Sequence, residues 1–371
     1  MNFLIISHVK HKFNGSTYAA YAPYVREMNL WFKYVDTITI VAPEIMGKPS
    51  AIEMNYKHKD IKLNKIPSIQ FTSIKHVFRS MFQLPIIAFT IFKACKQAEH
   101  IHLRCPGNIG LIGCFVQILF PKKIKTAKYA GNWDPRAKQP KSYRLQKWLL
   151  RNTVLTKNMQ VLVYGDWKNQ TRNIKSFFTA TFTKTEIEKL IERDYTNTLQ
   201  FVFVGSLVEG KRPLLAIKII EELVKQGKKV RLNLFGDGVL KTELHDYIIN
   251  NNLNKYITLY GNQEKDTIKE TLKKAHFLIL PSRSEGWPKA IAEAMFFGVI
   301  PIATKISCVP YMLDNENRGV FIEPDLNLAV EKIDEVISKS DLKQISFNAS
   351  KWSQRYTLDV FEDEIKVLLK K

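Results

Sequence analysis

A chain of 371 residues exceeds what one hydrophobic core usually organises, so two domains of ordinary size are expected. Apolar residues make up 45% and aromatics 11%, enough for packed cores, which excludes a disordered or fibrous chain. The formal net charge of +21 is unevenly placed: residues 1–195 hold 31 Lys and Arg against 12 Asp and Glu, whereas residues 196–371 hold 25 against 23, so only the first half attracts polyanions, whether nucleic acid, an anionic membrane or a phosphorylated acceptor.

The opening MNFLIISHVKHKFNG has an apolar run that stops at Ile6, which lacks the layout of a secretion signal and reads as a first buried strand. Short apolar runs then alternate with amphipathic ones, the pattern of parallel sheets crossed by helices. In the first half strands are predicted at 2–7, 35–41, 100–104, 125–130 and 160–164, and helices at 16–33, 73–97, 107–119 and 141–153. The most apolar window, Met81 to Phe92, is too short to cross a membrane and contains Pro85, so any membrane contact is expected to be peripheral. The same stretch from Ile74 to Lys96 is flanked by Lys75, Arg79, Lys93 and Lys96, which fits either an ordinary amphipathic helix or one resting on an anionic membrane.

The polar stretch Glu192 to Thr198 marks the expected domain boundary, giving domains 1–195 and 196–356 and a final helix at 357–371 that packs against either one. Strands of the second half are predicted at 200–204, 229–235, 256–260, 276–280 and 299–303, each followed by a helix, the fourth at 288–297. Cys95, Cys105, Cys114 and Cys308 form no CxxC pair, which fits reduced, buried thiols and a cytoplasmic protein.

The sharpest chemical signal is LPSRSEGWPKAIAEAMFFGVIP, from Leu280 to Pro301. A buried strand ends at Leu280, a polar loop follows, and a helix opens with Pro288 in its first turn, leaving unpaired amides at the helix mouth that favour an anion such as a diphosphate. Glu285 precedes that helix and Glu293 lies inside it, while Ala290, Ala292 and Ala294 keep the surface small. For an isolated E-x7-E the plain alternative is a helix-stabilising acid and an exposed acid.

In its strand–loop–helix–strand setting the segment resembles the donor-site signature of glycosyltransferase family 4, a retaining group with the GT-B fold: two doubly wound, Rossmann-like α/β domains of parallel sheet facing one another across a cleft. The resemblance implies that the first domain takes the acceptor and the second the donor, a nucleotide sugar serving as co-substrate, with no cofactor and no metal. It places Glu285 on the donor sugar's hydroxyls, Glu293 on the nucleotide ribose, and Arg283, Gly286, Trp287, Pro288, Lys289 and Ala290 around the donor. Upstream, FVGSLVEGKRP is similar to the family's G-R-L-x-x-x-K-G: Gly205 and Lys211 fall on matched positions, Ser206 stands where Arg is usual, and Arg212 and Arg283 are the candidate substitutes for the missing charge. LNLFGDGVLKTEL supplies the glycine turn at Gly236 and Gly238, and YGNQEKD makes Gly261 and Asn262 candidates for recognising the base.

The first half matches more loosely. EHIHLRCPGN is similar to a family segment carrying two histidines, with His102 on the first and Arg104 on the second, so the catalytic candidates are Glu285, Lys211 and Arg104, the last able to hold a phosphate but not to act as a base. His100 and His102 at i, i+2 would share a strand face, yet no third metal ligand is identifiable. Gly15, in the loop after the first strand, and Asn132, Trp133 and Asp134, after the strand at 125–130, are the acceptor-side candidates, with Trp133 available for stacking on a sugar or for lining a turn. The implied partners are a nucleotide-sugar donor and a glycan or lipid-linked acceptor in cell-surface polysaccharide synthesis, with attachment to the inner membrane face an added possibility. Two other classes remain: a basic nucleic-acid-binding protein, disfavoured because RNA-binding signatures are absent, and a nucleotide-sugar enzyme that is not a transferase. A dinucleotide-dependent dehydrogenase needs a G-x-G-x-x-G that residues 7–20 do not contain.

Overall fold

The computed structural model describes residues 1–50, 52–69, 74–339 and 341–370. The chain divides into two compact units, Met1–Phe177 with Glu362–Lys371, and Phe178–Phe361.

The first unit is built on a seven-stranded sheet in the order β10-β9-β8-β7-β1-β4-β6. Its strands are β1 (Asn2–Ile6), β4 (Thr37–Pro43), β6 (Ile61–Ile66), β7 (His100–Cys105), β8 (Ile124–Tyr129), β9 (Met159–Tyr164) and β10 (Ile174–Phe177), and every pairing is parallel. Parallel strands buried on both faces must be apolar nearly throughout, and Phe3 to Ile6, like all of β7, is buried. One face packs on α2 (Ile74–Gln97), α3 (Asn108–Val116) and α4 (Lys141–Arg151), through Ile87, Ile91, Cys114 and Leu149. The strand order reverses between β1 and β7, where an open α/β sheet forms its crevice.

The predicted helix at 16–33 is shorter, α1 (Ala22–Phe32), because Pro23 sits in its first turn and the residues before it are drawn into a small antiparallel sheet of β2 (Lys12–Phe13), β3 (Tyr18–Tyr21) and β5 (Glu53–Asn55). β6 and β10 were not anticipated either; both are edge strands with mixed polarity.

The second unit has six parallel strands in the order β13-β12-β11-β14-β15-β16: β11 (Leu199–Val204), β12 (Val230–Phe235), β13 (Ile257–Gly261), β14 (Phe277–Leu280), β15 (Ile300–Thr304) and β16 (Val320–Ile322). Counting from the unit's first strand this is 3-2-1-4-5-6, the doubly wound Rossmann order, with its reversal between β11 and β14. Its helices are α5 (Pro213–Lys225), α6 (Lys241–Asn250), α7 (Lys265–Lys274), α8 (Lys289–Phe296), α9 (Val309–Leu313), α10 (Leu326–Lys339) and α11 (Leu342–Ser353).

The division at 177/178 differs from the expected 195/196. The cause is a set of specific bonds: Arg193, only 7% exposed, donates to the carbonyls of Ala275 at 2.5 Å and Phe297 at 2.6 Å, and Glu186 pairs with Lys269 at 2.9 Å, so residues 178–195 belong to the second unit. The last helix, α12 (Leu358–Leu369), begins in the second unit and ends in the first, where Glu362 pairs with Lys33 at 2.9 Å and Lys175 with Glu364.

Candidate functional site

The carboxyl ends of β11 and β14 carry the loops 205–212 and 281–288. One backbone and one side-chain hydrogen bond lock them together: the Arg283 amide donates to the Gly210 carbonyl at 2.8 Å, and Arg212 Nη1 donates to the Pro281 carbonyl at 3.2 Å. Arg212 itself caps α5 in the left-handed region at φ 50°. At this junction Lys211 Nζ lies 2.5 Å from Glu285 Oε1, with the glutamate side chain 7% exposed and the lysine 27%. Glu285 is held from behind as well, its amide donating to Ser307 Oγ at 3.2 Å. Burial, reinforced by the Glu285 charge, pushes the Cys308 thiol up, so it stays protonated and donates to the Gly286 carbonyl at 2.9 Å.

The local charge is positive. Lys211, Arg212 and Arg283 face Glu285 and the exposed Glu209, which lies 3.7 Å from Arg283. Burial, and the Arg283 charge nearby, lower the Arg212 pKa, an unfavourable setting that a bound anion would relieve. Helix α8 starts one residue later than expected, with Pro288 as its N-cap rather than its first residue. No side chain caps it and its first turn holds no acid, so its leading amides remain available to an anion.

Two glycines permit the close approach of neighbouring strand ends. A Cβ on Gly236 would lie 1.9 Å from the Gly205 carbonyl oxygen, and one on Gly238 would lie 2.4 Å from that of Leu207. The Gly205 amide donates to Phe235 at 3.0 Å and the Gly236 amide to Gly261 at 2.9 Å, which ties the ends of β11, β12 and β13 into one rim. Gly261 (φ 71°) and the exposed Asn262 lie on that rim, as does exposed Ser206.

The structure thus brings Gly205, Ser206, Lys211, Arg212, Arg283 and Glu285 to adjoining strand ends. Other candidates have different surroundings. Glu293, half-buried on α8, accepts a hydrogen bond from Thr181 Oγ1 at 2.6 Å and has no partner in common with Glu285. Trp287 is 6% exposed and packs against Trp352 at 6.1 Å and Tyr356 at 5.7 Å, while Pro288 is buried; their side chains therefore shape the loop from behind. Lys289 and Ala290 are half-buried at the helix start. Sequence reasoning missed Thr181, Thr304 and Ser307. Thr304 Oγ1 donates to the Ser282 carbonyl at 2.5 Å, and both it and Ser307 sit where β15 ends, the position at which an α/β sheet places site residues.

In the first unit Arg104 is committed to a buried triad. Its Nη1 is 2.5 Å from Glu27 Oε1 and its Nη2 is 3.3 Å from Oε2, and Lys128 Nζ, on the neighbouring strand, is 3.0 Å from the same carboxylate. Burial would raise the Glu27 pKa, but the two cations hold the carboxyl well below its ordinary value. Two cations against one anion leave a net positive charge at the carboxyl end of β7, close to Gly107, whose added Cβ would meet the His8 ring at 2.9 Å. Glu27 carried no sequence signal, since its role depends on α1 crossing β7 and β8.

His100 Nε2 and His102 Nδ1 both bond Thr126 Oγ1 at 2.8 Å and lie buried beside Phe3. Burial lowers both pKa values, that of His100 to about 4, and among the described residues no group of three or more His, Cys, Asp or Glu is placed to hold a metal. Trp133 is 2% exposed, donates to Gln170 at 3.1 Å and meets Tyr129 edge-on at 4.9 Å, so its faces are not open to a sugar. Asn132 and Asp134 accept backbone N–H bonds within the same turn. Gly15 lies in the β2–β3 hairpin turn at φ 94°.

Residues 184–352 match the model of the family described as glycosyl transferases group 1. An uncharacterized glycosyltransferase of Methanocaldococcus jannaschii is 24% identical over 336 residues, 89% of this chain and 93% of that protein. The UDP-Gal:alpha-D-GlcNAc-diphosphoundecaprenol alpha-1,3-galactosyltransferase of Escherichia coli is 29% identical over 150 residues, 39% of this chain and 38% of that protein. Among solved structures, Anabaena HepE in complex with UDP superposes with a TM-score of 0.67 at 14% identity, covering 100% of this chain and 99% of that one. The lipopolysaccharide outer core galactosyltransferase WaaB gives 0.67 at 15% identity with the same coverage. The fold is therefore GT-B. Residues 184–352 form a glycosyl transferases group 1 domain, and the chain is a glycosyltransferase.

Proposed function

We propose that the protein moves a sugar, with retention at the anomeric carbon, from a nucleotide-sugar donor to a hydroxyl of a glycan or lipid-linked acceptor in the assembly of cell-surface polysaccharide. The observation that carries this reading is the Lys211–Glu285 pair set between the ends of β11 and β14 beside the uncapped start of α8. In the reaction the bond from the anomeric carbon to the diphosphate breaks and the nucleoside diphosphate leaves with the electron pair. The acceptor oxygen takes its place and its hydroxyl proton is released. Negative charge grows on the leaving diphosphate, and fixed positive groups stabilise it more in the transition state than in the bound donor. Lys211, Arg212, Arg283 and the α8 amides supply that field without a divalent metal, while Glu285 orients the donor sugar.

Two features of relatives support this reading: HepE was solved with UDP, and the Escherichia coli relative is named for transfer of galactose to a diphosphoundecaprenol-linked sugar. We place the reaction at the inner face of the cytoplasmic membrane; no helix among the described residues is long and apolar enough to cross one. The test is a panel of nucleotide sugars, scored for donor hydrolysis and for transfer to lipid-linked and soluble glycans with chelator present. Turnover of one donor that Glu285→Gln abolishes is the expected result. Failure of every nucleotide sugar to bind, or salt-sensitive binding of oligonucleotides in their place, refutes it.

A further inference from the structure

Helix α2 has an apolar face on each side. Ile87, Ile91, Ala94 and Cys95 are buried against the sheet, as the hydrophobic pattern requires. On the outward side a soluble helix normally carries polar residues. Here Phe82 is 80% exposed, Ile86 59% and Phe89 61%, a row at i, i+4 and i+7. Phe115, near the end of the neighbouring helix α3, and Leu119 just after it are exposed apolar residues as well, at 46% and 65%. One and two turns further along α2 the same side becomes basic with the exposed Lys93 and Lys96, and the Lys93 ammonium lies 5.7 Å above the Phe89 ring. The helix contains no Asp or Glu.

We propose that this face of α2 docks on an anionic lipid surface, Phe82, Ile86 and Phe89 entering the boundary between headgroups and acyl chains while Lys93 and Lys96 meet lipid phosphates. Charge complementarity selects this occupant. A second copy packed face to face would bring the two lysines of each chain toward a helix with no carboxylate to answer them, whereas an anionic bilayer offers apolar depth and negative charge together. The excess of basic over acidic residues in residues 1–195 adds long-range attraction of the same sign. The inference deepens the proposed use of a lipid-linked acceptor, which such a surface would present, but its test is independent of catalysis.

The full-length chain is sedimented with vesicles of phosphatidylcholine alone and of phosphatidylcholine mixed with phosphatidylglycerol, at low and physiological salt. Binding to the mixed vesicles only is expected. The triple variant Phe82→Ser/Ile86→Ser/Phe89→Ser and the double variant Lys93→Gln/Lys96→Gln should each weaken it roughly tenfold. Only the lysine variant should lose most of its salt dependence. Both should keep wild-type hydrolysis of a water-soluble nucleotide-sugar donor, which separates failure of docking from failure of the glycosyltransferase reading. Equal recovery with both vesicle types, retention of binding within about twofold in both variants, or a concentration-dependent dimer abolished by the serine substitutions overturns the proposal. If the triple variant does not fold, the lysine variant decides alone.

Discussion

Glu285→Gln keeps the shape of the side chain and removes its charge, leaving Lys211 without its ion-pair partner. At a 2.5 Å separation the gross attraction is several kcal/mol with an effective dielectric near 20, but desolvation of the two ions cancels most of it. Lys211 keeps access to water at 27% exposure, so the loss of stability should be about 1–2 kcal/mol, below the cost of stranding a fully buried charge. The catalytic loss should be larger. An ammonium released from its partner no longer points at the leaving diphosphate, and removal of one positioned electrostatic group typically costs about 100- to 1000-fold in kcat. The assay is kcat and KM for donor hydrolysis by Glu285→Gln, Lys211→Met and the double variant, with urea unfolding of each as the stability control. Two groups acting as a unit are non-additive, so the double variant should be no more than a few-fold slower than the worse single variant. A Glu285→Gln enzyme within about threefold of wild type, or full additivity of the two losses, would refute the reasoning.

Gly236→Ala should lower stability by about 3 kcal/mol or more, because the new methyl group meets a backbone oxygen at 1.9 Å and the residue sits at φ 143°; a urea midpoint little changed would contradict the described rim. Arg193→Ala removes charge-assisted bonds to four backbone carbonyls and should cost about 2–4 kcal/mol, read as earlier urea unfolding. Acid sensitivity should begin near pH 6.5. Burial holds His11 and His100 at about 4, below the unfolded value, so protons favour the unfolded chain; stability is full above 6.5 and falls as pH drops towards 4, by about 3 kcal/mol for each histidine. A first unit whose urea midpoint is flat from pH 7 to about 5 would contradict that burial.

Local order explains why much of this was legible. Alternating apolar and amphipathic runs announce parallel sheets, and the segment Leu280 to Pro301 keeps strand, loop, helix and strand contiguous, so the α8 mouth follows from local order and Glu285 from the family resemblance that this segment carries. Lys211 stood out through the resemblance of FVGSLVEGKRP, contiguous in the chain, to the family's G-R-L-x-x-x-K-G. What joins them was not visible, since 74 residues separate Lys211 from Glu285 and only the reversal of strand order between β11 and β14 sets their loops side by side.

The sequence by itself determined the two-fold repetition of α/β units, the glycines at strand ends and the uneven charge, all of which depend on residues near one another in the chain. Tertiary structure alone decided that residues 178–195 join the second unit, that Arg104 and Lys128 share the carboxylate of Glu27, that Trp133 is enclosed, and that the outer side of α2 is greasy rather than polar. The physical reason is that burial and ion pairing are set by which elements cross, and a side chain's partner across a sheet or beneath a helix leaves no periodic trace in the order of residues.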